Sequence, residues 1–363
     1  MQMRGWKRLL VLTLALMTLL ATPALAERAA YVSDYAMPVY ADASFSERVG
    51  SVAGGSYLTV HDVQNGVANI TWYGKMCIRD SVYDAVSAAE IILEDGSLVL
   101  DASGDALRAD GALTMTGGAL SIACGEDALR AGGALDVSGG VIWVDECETG
   151  LSGANVSVEN AEVSIVSADA GISALSERGG DASVLEGAKL TIAAGGDGIA
   201  AGADVYLAGG ETSICCAGGS GAPLNAGGEV FADGGTLVAT GRSDASAIAE
   251  DPAQAVLRAR FNGTLRAGVR VVVEDEDGQT AFSFEPEADF SRLLLTSPAL
   301  KQGGTYTLYV EGEALGMAAV DGAETYFRGD FTEERDERET RDDRSEDDGR
   351  DAEPSMENGA ERI

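Results

Sequence analysis

Histidine is almost missing from this chain, with His61 alone among 363 residues. No nucleophile–His–acid set can be assembled without that residue, and it lies well before the repeated part of the chain. Basic residues are also scarce, 25 Lys and Arg against 59 Asp and Glu, for a formal net charge of −34. That balance excludes non-specific nucleic-acid binding through phosphate contacts and suits a cation-attracting surface. Aromatic residues make up 6 % of the chain and cysteines number five. Long apolar runs are confined to the start. Met1–Ala26 reads as a secretory signal peptide, with Arg4, Lys7 and Arg8 as its basic start, Leu9–Leu20 as its apolar stretch and Ala24-Leu25-Ala26 as its cleavage site. The expected product is exported, with no membrane span in the mature chain. At the other end, 328–363 is dense in Asp, Glu and Arg and is expected to be disordered.

What the chain does have is a repeat. Gly104-Asp105-Ala106-Leu107-Arg108-Ala109 is answered about 22 residues later by Glu126-Asp127-Ala128-Leu129-Arg130-Ala131. Each acidic turn leads into an alternating strand and a Gly-Gly step, as in Leu113-Thr114-Met115 and Gly117-Gly118, then Leu135-Asp136-Val137 and Gly139-Gly140. Turn positions recur at Asp84, Asp105, Asp127, Thr149, Ala170, Asp197 and Ala222. Two longer steps fit inserted corner loops such as Ser176–Gly180. The apolar period inside a coil is 2, and three inward columns emerge: Leu107/Leu129/Leu151, Leu113/Leu135/Val156 and Leu120/Ile142/Val163 with their partners. A β-sandwich has no reason to repeat Asp-Ala-Leu-Arg-Ala at a fixed period. The expectation is all-β: a right-handed parallel β-helix of about seven coils over 82–241, a small β-rich cap over 242–327, and a truncated small β-barrel before them.

Chemistry concentrates at the coil corners. One column holds Asp84, Asp105, Asp127 and Asp197, and the position before it holds Glu126, Glu148 and Asp169. Stacked about 4.8 Å apart, like charges repel and need compensation. Arg108 and Arg130 could pair with them. Alternatively, a bound cation could bridge them, and an all-oxygen site suits Ca²⁺. Trp143 lies between inward Ile142 and Val144, so it points outward among Ser121, Ser164 and Ser213. It is the candidate sugar-stacking residue, with Arg108 and Arg130 as candidate contacts to an acidic polysaccharide. Cys124 and Cys147 stand about one coil apart, compatible with either a disulfide or two buried thiols.

Two resemblances follow. The corners Gly-Asp-Ala-Leu, Glu-Asp-Ala-Leu, Asp-Ala-Gly-Ile and Gly-Asp-Gly-Ile, with their strands and Gly-Gly steps, resemble secreted bacterial carbohydrate-binding β-helix proteins of the clostridial cellulose- and polygalacturonate-binding type. That resemblance spans about 230 residues and includes the part after the solenoid. It implies Ca²⁺ at acidic corners and plant cell-wall polysaccharide, cellulose or pectin-like, as the partner; no catalysis is expected, because the acids recur like rungs and do not converge in a cleft. Pectate lyases, which share the β-helix and combine Ca²⁺-binding acids with a basic residue, are the rival class, and a purely structural Ca²⁺-stabilised surface solenoid is a third. Over 27–75, Met37–Tyr40, Val49-Gly50, Asn65–Ala68 and Trp72–Lys75 resemble a bacterial Src-homology-3-type domain without its closing strand, which implies cell-wall attachment. At 75–81, Met76-Cys77-Ile78-Arg79-Asp80 matches the translated reading frame of a transposase adapter from sequencing libraries. The expected reading is a join of two genes at that point.

Overall fold

The structure is a computed structural model that describes residues 28–328, apart from 32–36, 41–47, 53–56, 65–66, 74, 82, 177–178 and 251; over 28–81 it describes the backbone strands alone. The signal peptide expected over 1–26 and the acidic tail beyond 328 lie outside the described residues. Among the described residues every regular element is a strand, and no helix is long and apolar enough to cross a membrane.

Seven coils stack as a parallel β-solenoid, each contributing a strand to three faces. On the first face Leu107 pairs in register with Leu129, then Leu151, Ile172, Ile199 and Leu224. The second face aligns Leu113, Leu135, Val156, Ala182, Val205 and Val230. The third aligns Leu98, Leu120, Ile142, Val163, Leu190, Thr212 and Leu237. The period-2 pattern explains the result directly. Alternate side chains enter one interior, where Leu107, Leu113, Leu129, Leu135 and Ile142 are fully buried. Each such side chain contributes roughly 1.5–3 kcal/mol relative to exposure, and only a neighbouring coil can cover it.

Glycines fix the corner between the second and third faces. Gly118 and Gly140 sit there at φ 87° and 90°. In the next coil the corner is turned by Asn160 at φ 47°, a residue type that tolerates the left-handed region better than most.

Both ends of the solenoid carry additional strands. Lys75–Ser81 adds to the third face, parallel to Ser97–Ala102, and its other edge pairs antiparallel with Arg48–Val52. The segment that stands where the sequence lacked a closing strand is thus itself a strand, paired on both edges. Arg28–Tyr31, Tyr57–Gln64 and Val67–Tyr73 make a separate antiparallel sheet. At the far end, Phe290–Thr296 pairs antiparallel with both Val230–Gly241 and Val256–Leu265. A four-stranded antiparallel sheet follows, and a second core gathers Leu257, Phe261, Phe290, Leu295 and Leu308. Phe261 and Phe290 meet edge to face, with ring centroids 5.6 Å apart.

Candidate functional site

The structure stacks the sequence-predicted acidic residues in two adjoining columns. Asp84, Asp105, Asp127, Thr149, Ala170, Asp197 and Ala222 occupy equivalent corners, linked coil to coil by backbone hydrogen bonds. Glu126, Glu148 and Asp169 succeed one another in the column before it.

The inner column is not a free edge. Asp105 is 0 % exposed and Asp127 9 %. At this corner the chain leaves the third face and opens the first, so the backbone amide has no ladder carbonyl to meet. The carboxylate one coil back supplies the acceptor. Asp84 Oδ1 accepts from the Asp105 amide at 3.0 Å, and Asp105 Oδ1 accepts from the Asp127 amide at 3.0 Å. Asp197 repeats the device, accepting from the Ala222 amide at 2.7 Å while its Oδ2 accepts from Asn225 Nδ2 at 2.6 Å.

The remaining oxygens of the first three meet the two arginines. Arg108 lies 3.9 Å from Asp84 Oδ2 and 3.8 Å from Asp105 Oδ2. Arg130 lies 3.9 Å from Asp105 Oδ2 and 3.4 Å from Asp127 Oδ2. Arg130 Nη1 donates to Asp127 Oδ2, whereas the longer separations at Asp105 compensate charge without satisfying the acceptor, and Asp105 Oδ2 has no hydrogen-bond partner among the described residues. Burial pushes the Asp105 carboxyl above its ordinary 3.8, with Asp84 and Glu126 adding repulsion against the lowering pull of the Asp127 amide and Arg130. Asp127 is raised for the same reasons, burial first and then Asp105.

The outer column differs. Glu126, Glu148 and Asp169 are exposed and have no ion pair or hydrogen bond to their carboxylates among the described residues. Their chemistry fits a hard cation better than that of the inner column, whose oxygens already serve amides and guanidinium groups. Among the described residues, however, no three His, Cys, Asp or Glu side chains converge at metal-holding distance.

A second ladder escaped the sequence reading. Asn155 Oδ1 accepts from the Asp181 amide at 3.0 Å, Asp181 Oδ1 from Asp204 at 3.1 Å, and Asp204 Oδ1 from Glu229 at 2.9 Å. Its signal was an Asn or Asp directly before the first inward residue of three successive second-face strands: Asn155-Val156, Asp181-Ala182, Asp204-Val205.

Trp143 points outward, 48 % exposed. Ser121, Trp143, Ser164, Thr191 and Ser213 follow in register up the third face. Thr191 completes a strip in which the sequence reading had named only the serines. The corner arginines lie on the first face, so Trp143 and the Arg108–Arg130 pair do not form one site. Cys124, Cys147, Cys215 and Cys216 are free thiols, and all four are buried, although of the adjacent pair only Cys216 joins the solenoid core.

Comparison with protein-family models, curated proteins and solved structures finds no match.

Proposed function

We propose that this chain is a secreted, non-catalytic polysaccharide-binding solenoid, directed at plant cell-wall polymers of the cellulose or polygalacturonate class, with Ca²⁺ held at its acidic corner and the N-terminal module attaching it to cell wall. The observation that carries this reading is the in-register strip Ser121–Trp143–Ser164–Thr191–Ser213. A sugar polymer presents apolar ring faces and hydroxyls in repetition along its length. A straight strip of hydroxyls spaced about 4.8 Å apart, with one exposed indole, matches that chemistry. For the cation, support comes from the unpaired carboxylates Glu126, Glu148 and Asp169 on successive coils, whose repulsion a divalent ion would relieve. A binding role over a lyase role is favoured because Arg108 and Arg130 are ion-paired and the acids recur as rungs instead of converging.

The test is retention on cellulose and on polygalacturonate gels. Trp143→Ala should weaken retention by roughly two- to tenfold and leave the melting temperature unchanged. Full retention by that variant removes the strip from the reading. Ca²⁺ should raise the melting temperature of the wild type and not of a Glu126→Gln/Glu148→Gln variant, since a ligand of the folded state stabilises it by mass action. Release of unsaturated uronate from polygalacturonate in Ca²⁺, lost in Arg130→Ala, would replace this reading with the lyase.

A further inference from the structure

The rim where the last coil meets the cap carries charge that the corner columns do not explain. Arg260 and Arg292 lie directly opposite each other on the antiparallel strands Val256–Leu265 and Phe290–Thr296. Like charges in that relation are unfavourable, and this chain, with 25 basic residues against 59 acidic, has few to place. Both guanidinium groups approach one oxygen: Asp244 Oδ1 accepts from Arg260 Nε at 3.0 Å, and Arg292 Nε, buried and without a hydrogen bond among the described residues, lies 3.2 Å from it. Arg242 stands nearby, 3.8 Å from Asp289. The neighbouring Arg258 is a structural residue. It is buried, ion-paired with Glu324 at 3.0 Å, and donates to the Ala245 and Ser246 carbonyls at 3.0 and 2.7 Å.

Arg260 is held in place, not left to swing. Its guanidinium lies 4.9 Å from the centre of the Tyr326 ring, and its Nη2 donates to the Tyr326 hydroxyl at 3.3 Å. Arg292 Nη1 donates to the Ser291 carbonyl at 2.9 Å, whereas Arg260 Nη1 and Arg292 Nη2 have no hydrogen-bond partner among the described residues, and the two side chains are 53 % and 29 % exposed. Two oriented guanidinium groups beside a single carboxylate leave N–H donors for a second one. Planar guanidinium forks match carboxylate geometry, and such charge-assisted pairs are the strong ones.

We infer that Arg260 and Arg292, steadied by Tyr326 and Asp244, bind the carboxylate of an acidic sugar, a uronate unit. This inference rests on the polysaccharide reading and narrows it: the strip on the third face suits neutral rings, whereas the rim selects a charged polymer.

The experiment follows the Nε–H signals of Arg260 and Arg292 in the ¹⁵N-labelled full chain during titration with trigalacturonate and with its methyl ester. In parallel, retention of an Arg260→Gln/Arg292→Gln variant is measured on polygalacturonate and on cellulose. The expected result is that the free acid moves both signals and the ester does not, while the variant loses at least tenfold in polygalacturonate retention with cellulose retention intact. Should the double variant melt early, Arg260→Lys takes its place, keeping charge and losing the fork. Signals unmoved by the free acid, or moved equally by the ester, overturn the rim site, and retention by wild type then leaves the polysaccharide reading standing. Signals that move while wild type is retained by neither gel keep the rim site and remove the wider reading.

Discussion

Asp105 accepts the backbone amide of Asp127 through Oδ1 at 3.0 Å while its own residue is fully buried. The hydrogen bond needs an oxygen at that position, not a charge. Asp105→Asn keeps the acceptor and removes a desolvated anion, so its urea midpoint should equal or exceed that of wild type. Asp105→Ala leaves the buried Asp127 amide unpaired and should cost about 1–3 kcal/mol. Equal losses in the two variants would mean that the carboxylate charge itself holds the corner.

The same residue sets a pH dependence. Asp105 and Asp127 both have folded-state values raised above 3.8, with burial the leading cause. Between 3.8 and the raised values the folded chain holds more protons than the unfolded one, so stability from these groups falls as pH rises through that window and the loss is complete above it. Acidifying from neutrality into the window should therefore return stability to wild type relative to Asp105→Asn. Urea unfolding of both across pH 3–7 measures the difference, and a gap that widens on acidification in the variant's favour would contradict the assignment.

Gly140 stands at φ 90°, where an added Cβ would lie 2.6 Å from the Gly118 carbonyl oxygen. Gly140→Ala should lower stability by roughly 1–3 kcal/mol, since both backbone strain and contact with the coil below oppose it. Asn160→Gly, at the equivalent corner of the next coil, relieves a mild strain and should change stability by less than about 1 kcal/mol. Thermal melts of the two variants distinguish a corner that demands glycine from one that tolerates asparagine.

Burial pushes the Cys124, Cys147 and Cys216 thiols up to about 12. At pH 8 they are almost wholly protonated, and the thiolate is the reactive form. Iodoacetamide should leave these three unmodified in the native chain and alkylate them after denaturation, as read by peptide mass spectrometry. Rapid native labelling of Cys124 would place it at the surface.

Lys75–Ser81 pairs with strands on both sides, Arg48–Val52 and Ser97–Ala102. Pairing of this kind is made by backbone amides and carbonyls, which any non-proline segment supplies whatever its origin. Reading source DNA across codons 60–100 decides between a join and a natural strand. The expected outcome is a sequence that lacks the adapter codons, and a clean read through Met76–Asp80 would make the strand part of a natural chain.

The solenoid was legible because a 22-residue spacing and a period of 2 are both written in side-chain identity, and the three columns headed by Leu107, Leu113 and Leu120 are the ones the structure aligns. The corner carboxylates were legible in position and not in use. Whether Asp105 faces solvent or folds back over an amide depends on the backbone path at the corner, which composition does not encode. The Asn155–Asp181–Asp204 ladder could have been found from its recurrence before the inward residues Val156, Ala182 and Val205 of successive coils. The cap cluster could not, since Asp244, Arg260, Arg292 and Tyr326 are brought together only by strand pairings dozens of residues apart.

The strand Phe290–Thr296, laid antiparallel on the last coil, has a consequence for assembly. A stack of parallel coils offers at its end a row of amides and carbonyls that would accept another coil from any neighbouring copy. An antiparallel strand cannot continue the winding, so this one acts as a terminator: it consumes the edge and reverses the chain direction at the place where growth would occur. With it in place, the length of the solenoid is set within one molecule. A chain cut after Gly241 would present Leu237–Gly241 as a bare edge and should associate with a second copy through it.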